Sequence, residues 1–388
     1  MSQLNVSRFM EKLLGEVEVE WVALEDIFDV FAGGDAPKSA FSAVETQKFS
    51  IPVLSNGIGD RALYGWTDTA KIEKPSLTIS ARGTIGWTSY REKPFFPIVR
   101  LLVLTPKIKL NLKYSYYFMK SIENNYKVPA SGIPQLTKPM LQGILIPIPC
   151  PDNPKKSLAI QAEIVRILDA FTAMTTELTT ELTTELNLRQ QQYNYYRDQL
   201  LSFDEGKVEW KTLENVAVIS TGKHDTKDAI VDGDYVFYAR GSKPLKLDVF
   251  DFDETAIITA GDGAGVGKVY HYVQGKYALH QRAYRIVPDE KINPRFAYHY
   301  LMAFFYDYIQ KASVSSSVTS LRRPMFLKFP IPVPPLEEQS RIVAILDKFD
   351  TLANSITEGL PYEIELRQQQ YEYYRDLLFN FPKQEAVA

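Results

Sequence analysis

Two long stretches of the chain carry apolar residues at steps of three and four, the spacing that places side chains on one face of an α-helix. The first stretch has them at Ile164, Ile167, Phe171, Met174, Leu178, Leu182 and Leu186. The second has them at Ile342, Ile345, Phe349, Leu352, Ile356, Leu360 and Ile364. An apolar stripe of this length cannot face water, so each pattern predicts a long helix with a partner.

The two stretches are copies of one another. Ile164–Asp169 returns as Ile342–Asp347, and Leu188–Asp198 returns as Leu366–Asp376, both shifted by 178 residues. The nearest partner for either stripe is the other copy, so we predict an antiparallel coiled coil of two helices. About 43 residues would span roughly 65 Å. The steps change from 3-4-3-4 to 4-4-4, so the supercoil should unwind over its second half.

Each helix has one local peculiarity. In the first, Thr-Thr-Glu-Leu occurs three times between Thr175 and Leu186. Thr is a poor helix former, so the leucines and a partner must hold this part helical, and each copy adds about 6 Å of helix. In the second, Gly359-Leu360-Pro361 predicts a bend or a break.

Between the helices the pattern changes to short β-rich runs separated by Gly, Pro and Asn, which is typical of strands and turns. Leu77–Ser80 leads into a turn at 81–86, Ile98–Leu104 predicts a buried strand, and Tyr114–Glu123 predicts a helix. The counterpart turn of the second region is 259–268.

The two regions close with Pro-spaced segments that cannot be helical, at 146–149 and 331–335. Val19-Glu20-Trp21 after the N-terminal residues matches Val208-Glu209-Trp210 after the first long helix. The repeat is therefore circular, and the two chain ends should lie near each other.

The predicted fold class is α+β, with two globular domains joined by two long helices in a pseudo-two-fold internal repeat. The predicted domains are an N-terminal helical stub at 1–19, a first globular domain at 20–150, a first spacer helix at 151–204, a second globular domain at 205–335, and a second spacer helix with the tail at 336–388.

Charge is divided unevenly along the chain. Residues 20–150 hold 15 Lys and Arg against 11 Asp and Glu, and residues 205–335 hold 17 against 15, although the whole chain is at −3. Mildly basic globular regions permit binding of a polyanion. There is one cysteine, Cys150, no secretory signal and no apolar run near the ~20 residues of a membrane span. These features predict a cytoplasmic protein.

The duplicated motifs resemble the specificity subunit of a Type I DNA restriction–modification enzyme. The resemblance covers nearly the whole chain and is carried by the Pro-rich exit with Leu336-Glu337-Glu338-Gln339 and by the paired Ile-Leu-Asp, Arg-Gln-Gln-Gln-Tyr and Tyr-Tyr-Arg-Asp segments. The exit at 150–154 lacks Leu-Glu-Glu-Gln and keeps only Gln161, so the first helix is expected to start differently.

This resemblance implies a non-catalytic subunit that binds double-stranded DNA. Each globular domain would be a target-recognition domain that reads half of a split site, and the helices would set the spacing between the halves. The implied partners are two modification (methyltransferase) subunits and restriction/translocase subunits. S-adenosylmethionine, ATP and Mg are expected on those partners, with no cofactor on this chain.

Base readout uses Arg or Lys for guanine and Asn or Gln for adenine, and phosphates are bound by basic, hydroxyl and backbone N–H groups. The predicted DNA-binding residues of the first domain are Lys71, Arg82, Gly83, Thr84, Arg91, Ser131, Gln135 and Lys138. Those of the second are Lys223, His224, Arg240, Lys243, Gly263, Lys268, Gln281, Ser316, Thr319, Arg322 and Arg323. For any one of them, a solvated surface charge is the competing interpretation.

The Gly-rich segment 261–268 fails both common nucleotide-binding patterns. Gly267-Lys268 lacks the upstream Gly and the following Ser or Thr of a Walker loop, and Val266 breaks the dinucleotide motif. It is interpreted as a tight turn or as a loop that brings backbone amides to a DNA phosphate. No Asn/Asp-Pro-Pro-aromatic methyltransferase segment is present. The four histidines show no metal-ligand spacing, and we expect them to be structural.

The helix ends carry more tyrosines than one seam can bury. Tyr and Arg are frequent in binding hot spots. The predicted partner-binding residues are Tyr195, Tyr196, Arg197, Tyr373, Tyr374 and Arg375. Packing of the globular domains on the helices is the alternative explanation. At the level of function, the alternatives are a fused methyltransferase or nuclease and a structural adaptor that does not touch DNA.

Overall fold

The structure is a computed structural model that describes residues 17–129, 132–204, 206–312, 323–354 and 358–381. The chain divides into two compact units. Unit one is Met1–Thr180 with Glu365–Ala388, and unit two is Glu181–Ile364. Each unit thus takes one globular region and a part of both helical repeats.

The strands of unit one are β1 Val19–Ala23, β2 Phe28–Ala32, β3 Ile51–Leu54, β4 Leu63–Thr67, β5 Ser76–Ser80, β6 Thr88–Arg91, β7 Phe96–Pro97, β8 Leu101–Pro106 and β9 Leu145–Pro149. They form a four-stranded sheet of order β2-β8-β5-β6, a three-stranded sheet of order β4-β3-β7 and a ribbon of β1 with β9. Its shorter helices are Leu24–Ile27, Leu112–Ser121 and Lys138–Gln142, with a 3-10 turn at Gly59–Ala62.

The strands of unit two are β10 Glu209–Thr212, β11 Ala217–Thr221, β12 Tyr235–Tyr238, β13 Leu245–Leu247, β14 Phe252–Ala260, β15 Tyr270–Leu279, β16 Ala283–Pro288 and β17 Pro330–Val333. They form a six-stranded sheet of order β11-β16-β14-β15-β12-β13 and a ribbon of β10 with β17. Its shorter helices are Pro294–Ala312 and Arg323–Leu327, with 3-10 turns at Leu213–Asn215 and Thr226–Asp228.

The two globular regions share one strand order. In unit one β2-β8-β5-β6 are all antiparallel neighbours, and β11-β16-β14-β15 repeat that arrangement in unit two. Unit two then adds β12 parallel to β15. The proline-rich exits form β9 and β17, each paired with one strand only. Proline lacks the N–H for a second ladder, so a two-stranded ribbon suits it.

The predicted strand Ile98–Leu104 is wrong in its first half. The structure has the short β7 at Phe96–Pro97, then a turn, and β8 begins at Leu101. Arg100 lies in this turn with φ 73°, in the left-handed region outside the β conformation. The apolar side chains of 98–104 are largely buried, so burial and not strand geometry produced the pattern.

The first spacer helix, Pro154–Leu200, is continuous. The second spacer helix consists of two pieces, Leu336–Asn354 and Gly359–Leu378, so the predicted interruption near Gly359 is confirmed. The first helix begins seven residues before Gln161 and the second only three before Gln339, which confirms that the two starts differ.

Within each unit the helical repeats run antiparallel. In unit one, Phe171 packs against Tyr374 with ring centroids 5.7 Å apart, whereas Ile164 and Leu168 share a buried cluster with the later residue Leu378. In unit two, Tyr196 stacks on Phe349 at 5.5 Å, whereas Leu201 shares a cluster with the earlier residues Ile342 and Leu346. The predicted antiparallel pairing is confirmed in both.

The predicted apolar stripe is only partly buried. Ile164 and Ile342 are fully enclosed, but Met174 is 66% exposed. The leucines of the Thr-Thr-Glu-Leu run are half-buried. Met174 therefore does not belong to the helix seam.

The two described ends of the chain lie in the same core. Val17 packs on the hydrophobic cluster of unit one that contains Leu378, Phe379 and Phe381. The circular arrangement predicted from the repeat brings the ends together in this way. The stub residues 1–16 and the tail 382–388 lie outside the described residues.

Candidate nucleic-acid interface

The loop 81–86 after β5, which we call the first glycine loop, is held by one residue of a distant turn. The backbone oxygen of Asn56 accepts hydrogen bonds from Ser80 Oγ at 3.0 Å and Thr84 Oγ1 at 2.6 Å. The Asn56 amide donates to the Arg82 carbonyl oxygen at 2.5 Å. Three hydrogen bonds to one residue make this loop a preformed element of the surface.

The first glycine loop also contacts the segment before the helix Lys138–Gln142. Arg82 Nη2 donates to Gln135 Oε1 at 3.0 Å, and Leu136 N donates to Ala81 O at 2.8 Å. The structure therefore brings together the predicted residues Arg82, Gly83, Thr84 and Gln135, with Lys138 exposed at the start of the helix. Ser131, also predicted, lies outside the described residues.

Two predicted residues of the first domain make their contacts elsewhere. Lys71 Nζ lies over the rings of Phe31 and Phe96 at 4.7 and 5.5 Å. Arg91 pairs with Ser76 at the end of the β5–β6 ladder remote from the loop, and its Nε donates to Thr78 Oγ1. Burial lowers the pKa of Arg91. Neither residue contacts the first glycine loop within the described chain.

The loop 261–268 after β14, which we call the second glycine loop, has a positive-φ glycine at the same place as the first glycine loop but a residue of opposite charge before it. Gly263 has φ 79° and Gly83 has φ 76°, and both follow the first charged residue after their strand. That residue is Arg82 in the first loop and Asp262 in the second. Lys268 Nζ lies 4.9 Å from the centre of the Tyr306 ring. The segment is a turn between strands, as predicted.

Asp262 binds two arginines, one on each carboxylate oxygen. Arg240 Nη1 donates to Oδ1 and Arg282 Nη1 donates to Oδ2, both at 3.0 Å. Burial of Asp262 acts to raise its pKa, but the two guanidinium groups outweigh it, and the pKa lies below its usual value. The carboxylate therefore stays ionised and holds both cations.

A three-residue turn, 280–282, carries Arg282 between β15 and β16. His280 N donates to Tyr238 O at 3.0 Å, and Gln281 N donates to His224 O at 2.9 Å. His280 is buried, and its Nδ1 accepts from Arg282 N at 2.9 Å. Burial lowers the pKa of His280, so its ring is held neutral, as that accepted bond requires.

Three further predicted residues of the second domain, Lys223, His224 and Gln281, bind aspartate side chains. Gln281 Nε2 donates to Asp225 Oδ2 at 2.9 Å. Buried Asp251 binds Lys223 Nζ and His224 Nε2, each at 3.1 Å. Lys243 is exposed.

Arg323 is exposed at the start of the helix Arg323–Leu327. Ser316, Thr319 and Arg322 lie outside the described residues.

A separate set of contacts ties each globular domain to its spacer helix. In unit one, Asn111 N donates to Gln161 Oε1 at 2.8 Å. Asp169 accepts hydrogen bonds from Lys113 Nζ at 2.8 Å and from Tyr117 OH at 2.7 Å. We call these five residues the first helix lock.

The second helix lock has the same plan in unit two. Asn293 N donates to Gln339 Oε1 at 2.7 Å, and Asp347 Oδ1 accepts from Arg295 Nε at 2.7 Å. His299 Nε2 takes the place of the tyrosine, 2.7 Å from the same oxygen. The two locks explain why Gln161 and the Ile-Leu-Asp motifs are duplicated.

The lock partners on the globular domains were not among the residues predicted from the sequence. Asn111-Leu-Lys113-Tyr114 and Asn293-Pro-Arg295-Phe296 share an Asn-x-basic-aromatic pattern, which aligning the two domains could have found. Asn56 and Arg282 had no such signal, because their partners are distant in sequence.

The helix ends expose equivalent apolar side chains in both repeats. Tyr195 is 62% exposed and its counterpart Tyr373 is 57% exposed. Leu188 and Leu366, seven residues earlier, are exposed as well. A seven-residue step is two helical turns, so each pair lies on one face. We call them the first and second apolar pairs.

The other predicted partner-binding residues make contacts within the chain. Tyr196 stacks on Phe349, and Tyr374 packs on Phe171. Arg197 and Arg375 form ion pairs with the adjacent Asp198 and Asp376. Tyr196 and Tyr374 thus pack on the other helical repeat of their own unit. The alternative explanation, packing of the globular domains on the helices, does not account for them.

Comparison with known proteins identifies the family. The sequence matches the Type I restriction modification DNA specificity domain twice, over residues 16–188 and 205–366. The chain belongs to this family. It is 38% identical to the Type I restriction enzyme EcoR124I/EcoR124II specificity subunit of Escherichia coli, over the full length of both. It is 34% identical to a putative type I specificity subunit of Haemophilus influenzae, over 97% of this chain and 99% of that one.

Solved structures of specificity subunits share the fold. The S subunit from M. genitalium aligns over 95% of this chain and 98% of its own with a TM-score of 0.52 at 18% identity. A chain from a study of complex assembly of the type I R-M system aligns over 94% and 98% with a TM-score of 0.61 at 13% identity.

Family membership makes this chain a DNA-recognition subunit and not the catalytic one. All four histidines of the specificity subunit have hydrogen-bonding partners, and no cluster of His, Cys, Asp and Glu suited to a metal occurs among the described residues. Over the same part of the chain, no helix is long and apolar enough to span a membrane.

Proposed function

We propose that the two globular domains read the two halves of a split site in double-stranded DNA. The single observation that supports this is the pair of glycine loops, which follow equivalent strands but carry Arg82 in one domain and Asp262 in the other. A common scaffold with different chemistry suits two different half-sites. Mildly basic charge in both domains favours the DNA backbone.

The spacer helices would set the distance between the half-sites. Each globular domain is fastened to its helix by a lock of the same design, which fixes the domain relative to the helix surface. The Thr-Thr-Glu-Leu run at 175–186 follows the lock residue Asp169 within the first spacer helix, where a change of length would alter the spacing.

We infer that the two apolar pairs dock two copies of a modification (methyltransferase) subunit. The pairs recur at equivalent positions of the two repeats, so one type of partner surface would fit both. Exposed Tyr is typical of binding hot spots. Restriction/translocase subunits would join this assembly in the cytoplasm. S-adenosylmethionine, ATP and Mg would be bound by the partners.

The test is to map methylated bases produced by the assembled methyltransferase on a randomised DNA library. A motif of two fixed blocks separated by a constant unspecified spacer is the expected result. A single continuous motif would contradict the proposal, and so would methylation without any motif.

Two controls separate this role from the alternatives. The lone chain should transfer no methyl group, because a fused methyltransferase would do so without partners. DNA affinity of the complex should fall with salt, and reversing the charge of Arg322 and Arg323 to Glu should weaken it and flatten the salt dependence. An adaptor that does not touch DNA would show no such change.

A further inference from the structure

The pair of arginines on Asp262 has the geometry of a base-reading device. Their side chains are 62% exposed for Arg282 and 41% for Arg240, whereas Asp262 is 23% exposed. Each guanidinium donates to the carboxylate through Nη1 only. The other N–H groups of the two guanidinium groups make no hydrogen bond within the described part of the chain, so they are available to a ligand.

The charge of the group favours a base edge over a phosphate. Asp262 removes one of the two positive charges and would repel a phosphate placed against it. A guanine presents O6 and N7, two neutral acceptors that match two N–H groups of one guanidinium. An arginine oriented beforehand by a carboxylate loses less side-chain freedom on binding.

The backbone beneath Arg282 is fixed on both sides. Gly261 N donates to Arg282 O at 2.8 Å, and Arg282 N donates to the ring of buried His280 at 2.9 Å. Side chains that read bases need such a rigid support, because a displacement of about 1 Å breaks paired hydrogen bonds. The turn 280–282 therefore presents Arg282 at a defined position.

We propose that Arg282, positioned by Asp262 together with Arg240, recognises a guanine in the half-site read by the second domain. This inference rests on the proposed function, because it assigns a base to one of the two half-sites. Asp262 acts through the arginines and is a positioning residue. The first domain has Arg82 at the place of Asp262 and so lacks an aspartate that binds two arginines there. Its half-site should therefore not depend on Arg240, Asp262 or Arg282.

The experiment compares methylation motifs of complexes assembled with the full chain and with Arg282→Ala, Arg240→Ala or Asp262→Asn. Lys246→Ala is the matched control, since Lys246 is an exposed cation on β13 of the same sheet. Thermal unfolding of each variant checks that the fold is kept.

Arg282→Ala should reduce the preference for guanine at one position of the second half-site by roughly 5- to 150-fold, the range expected for one bidentate contact. The other half-site should stay unchanged. Asp262→Asn should weaken the preference at the same position without a change in the unfolding midpoint, which a purely structural role would not produce.

Two results would overturn the inference. One is an unaltered motif for folded Arg282→Ala, and the other is a uniform loss of methylation at all sites, which indicates a phosphate contact. A wild-type complex without a two-block motif would instead refute the proposed function itself.

Discussion

At the scale of single residues, the helix locks show how one position can keep its role while its chemistry changes. Tyr117 donates a hydrogen bond to Asp169 in unit one, and His299 holds the equivalent place beside Asp347 in unit two. Both are buried at the contact. Only the histidine can gain a charge near neutral pH.

His299 should make unit two sensitive to acid. Burial lowers the pKa of His299, and the hydrogen bond to Asp347 opposes this only in part. The folded state thus binds fewer protons than the unfolded state. The stability from neutral His299 is complete above the unfolded pKa of about 6.5 and is lost as pH falls below it. The variant His299→Tyr, which copies unit one, should lose less stability between about pH 7 and about pH 5.

Scanning calorimetry at both pH values measures this effect. His299→Phe is the control, because it removes both the titration and the bond to Asp347. It should therefore be less stable than His299→Tyr at each pH. An acid destabilisation of His299→Tyr as large as that of the wild type would show that His299 is not the titrating group.

The predicted site residues also show what a sequence can reveal at this scale. Arg82, Gln135, Arg240 and Gln281 were selected by residue type and position, and the structure places them in two compact surfaces. Arg91 and Lys71 satisfied the same criteria but pack within the domain. Residue type does not distinguish these cases, because the difference lies in which side chains the fold places beside each residue.

At the scale of elements, the interruption of the second spacer helix depends on Gly359. It has φ 79°, and an added Cβ would lie 2.6 Å from Thr351 O and 2.7 Å from Leu352 O. The helix Gly359–Leu378 begins at this residue. Glycine can adopt this positive φ and lie close to the two carbonyl oxygens, whereas a residue with a Cβ would be strained there.

Gly359→Ala should therefore lower the free energy of unfolding by at least about 1–2 kcal/mol. Denaturant unfolding measures the change. The control is Gly143→Ala, where φ is −81° and no atom lies within 4 Å of the added Cβ. That variant should stay within about 0.5 kcal/mol of the wild type. Equal effects of the two substitutions would contradict the role given to Gly359.

The Thr-Thr-Glu-Leu run gives a second prediction for an element. Deleting one copy, residues 179–182, removes about 6 Å of helix. It should shorten the unspecified spacer of the DNA motif by about one or two base pairs, at ~3.4 Å each. Inserting one copy should lengthen the spacer equally. Mapping of methylated bases checks both variants, and altered half-sites with an unaltered spacer would refute the role of the helix in spacing.

The helices were more predictable from the sequence than the strands. The spacing of their apolar residues occurs in two copies with one constant offset, and each copy supports the helix predicted from the other. The error at Ile98–Leu104 arose where a buried run contained a turn, since burial alone does not determine the backbone direction. Met174 fitted the helical spacing but found no partner, because spacing does not show how far a seam extends.

At the scale of the whole molecule, the chain is a circular repeat that is opened in one of two equivalent connections. In unit two, residues 201–208 connect the first spacer helix to β10. In unit one the equivalent places are the chain ends, where Val17 and Phe381 belong to one core.

A circular permutant tests this interpretation. A short linker would join residues 1 and 388, and new ends would be made between Asp204 and Lys207. It should fold with little change in thermal midpoint and keep the wild-type methylation motif, because both cores and both locks retain their residues. Opening the chain at Thr180 inside the first spacer helix is the control and should destroy activity. A folded permutant with a different motif would contradict the prediction.

The duplication of the locks has one evolutionary consequence. A basic residue bound to an aspartate fastens both domains, as Lys113 with Asp169 and as Arg295 with Asp347. A domain moved by recombination from one helix lock to the other, or from a related gene, would meet the same Asp carboxylate and Gln amide on the spacer helix. New target sequences can then arise by exchange of whole domains, without any compensating change in the scaffold.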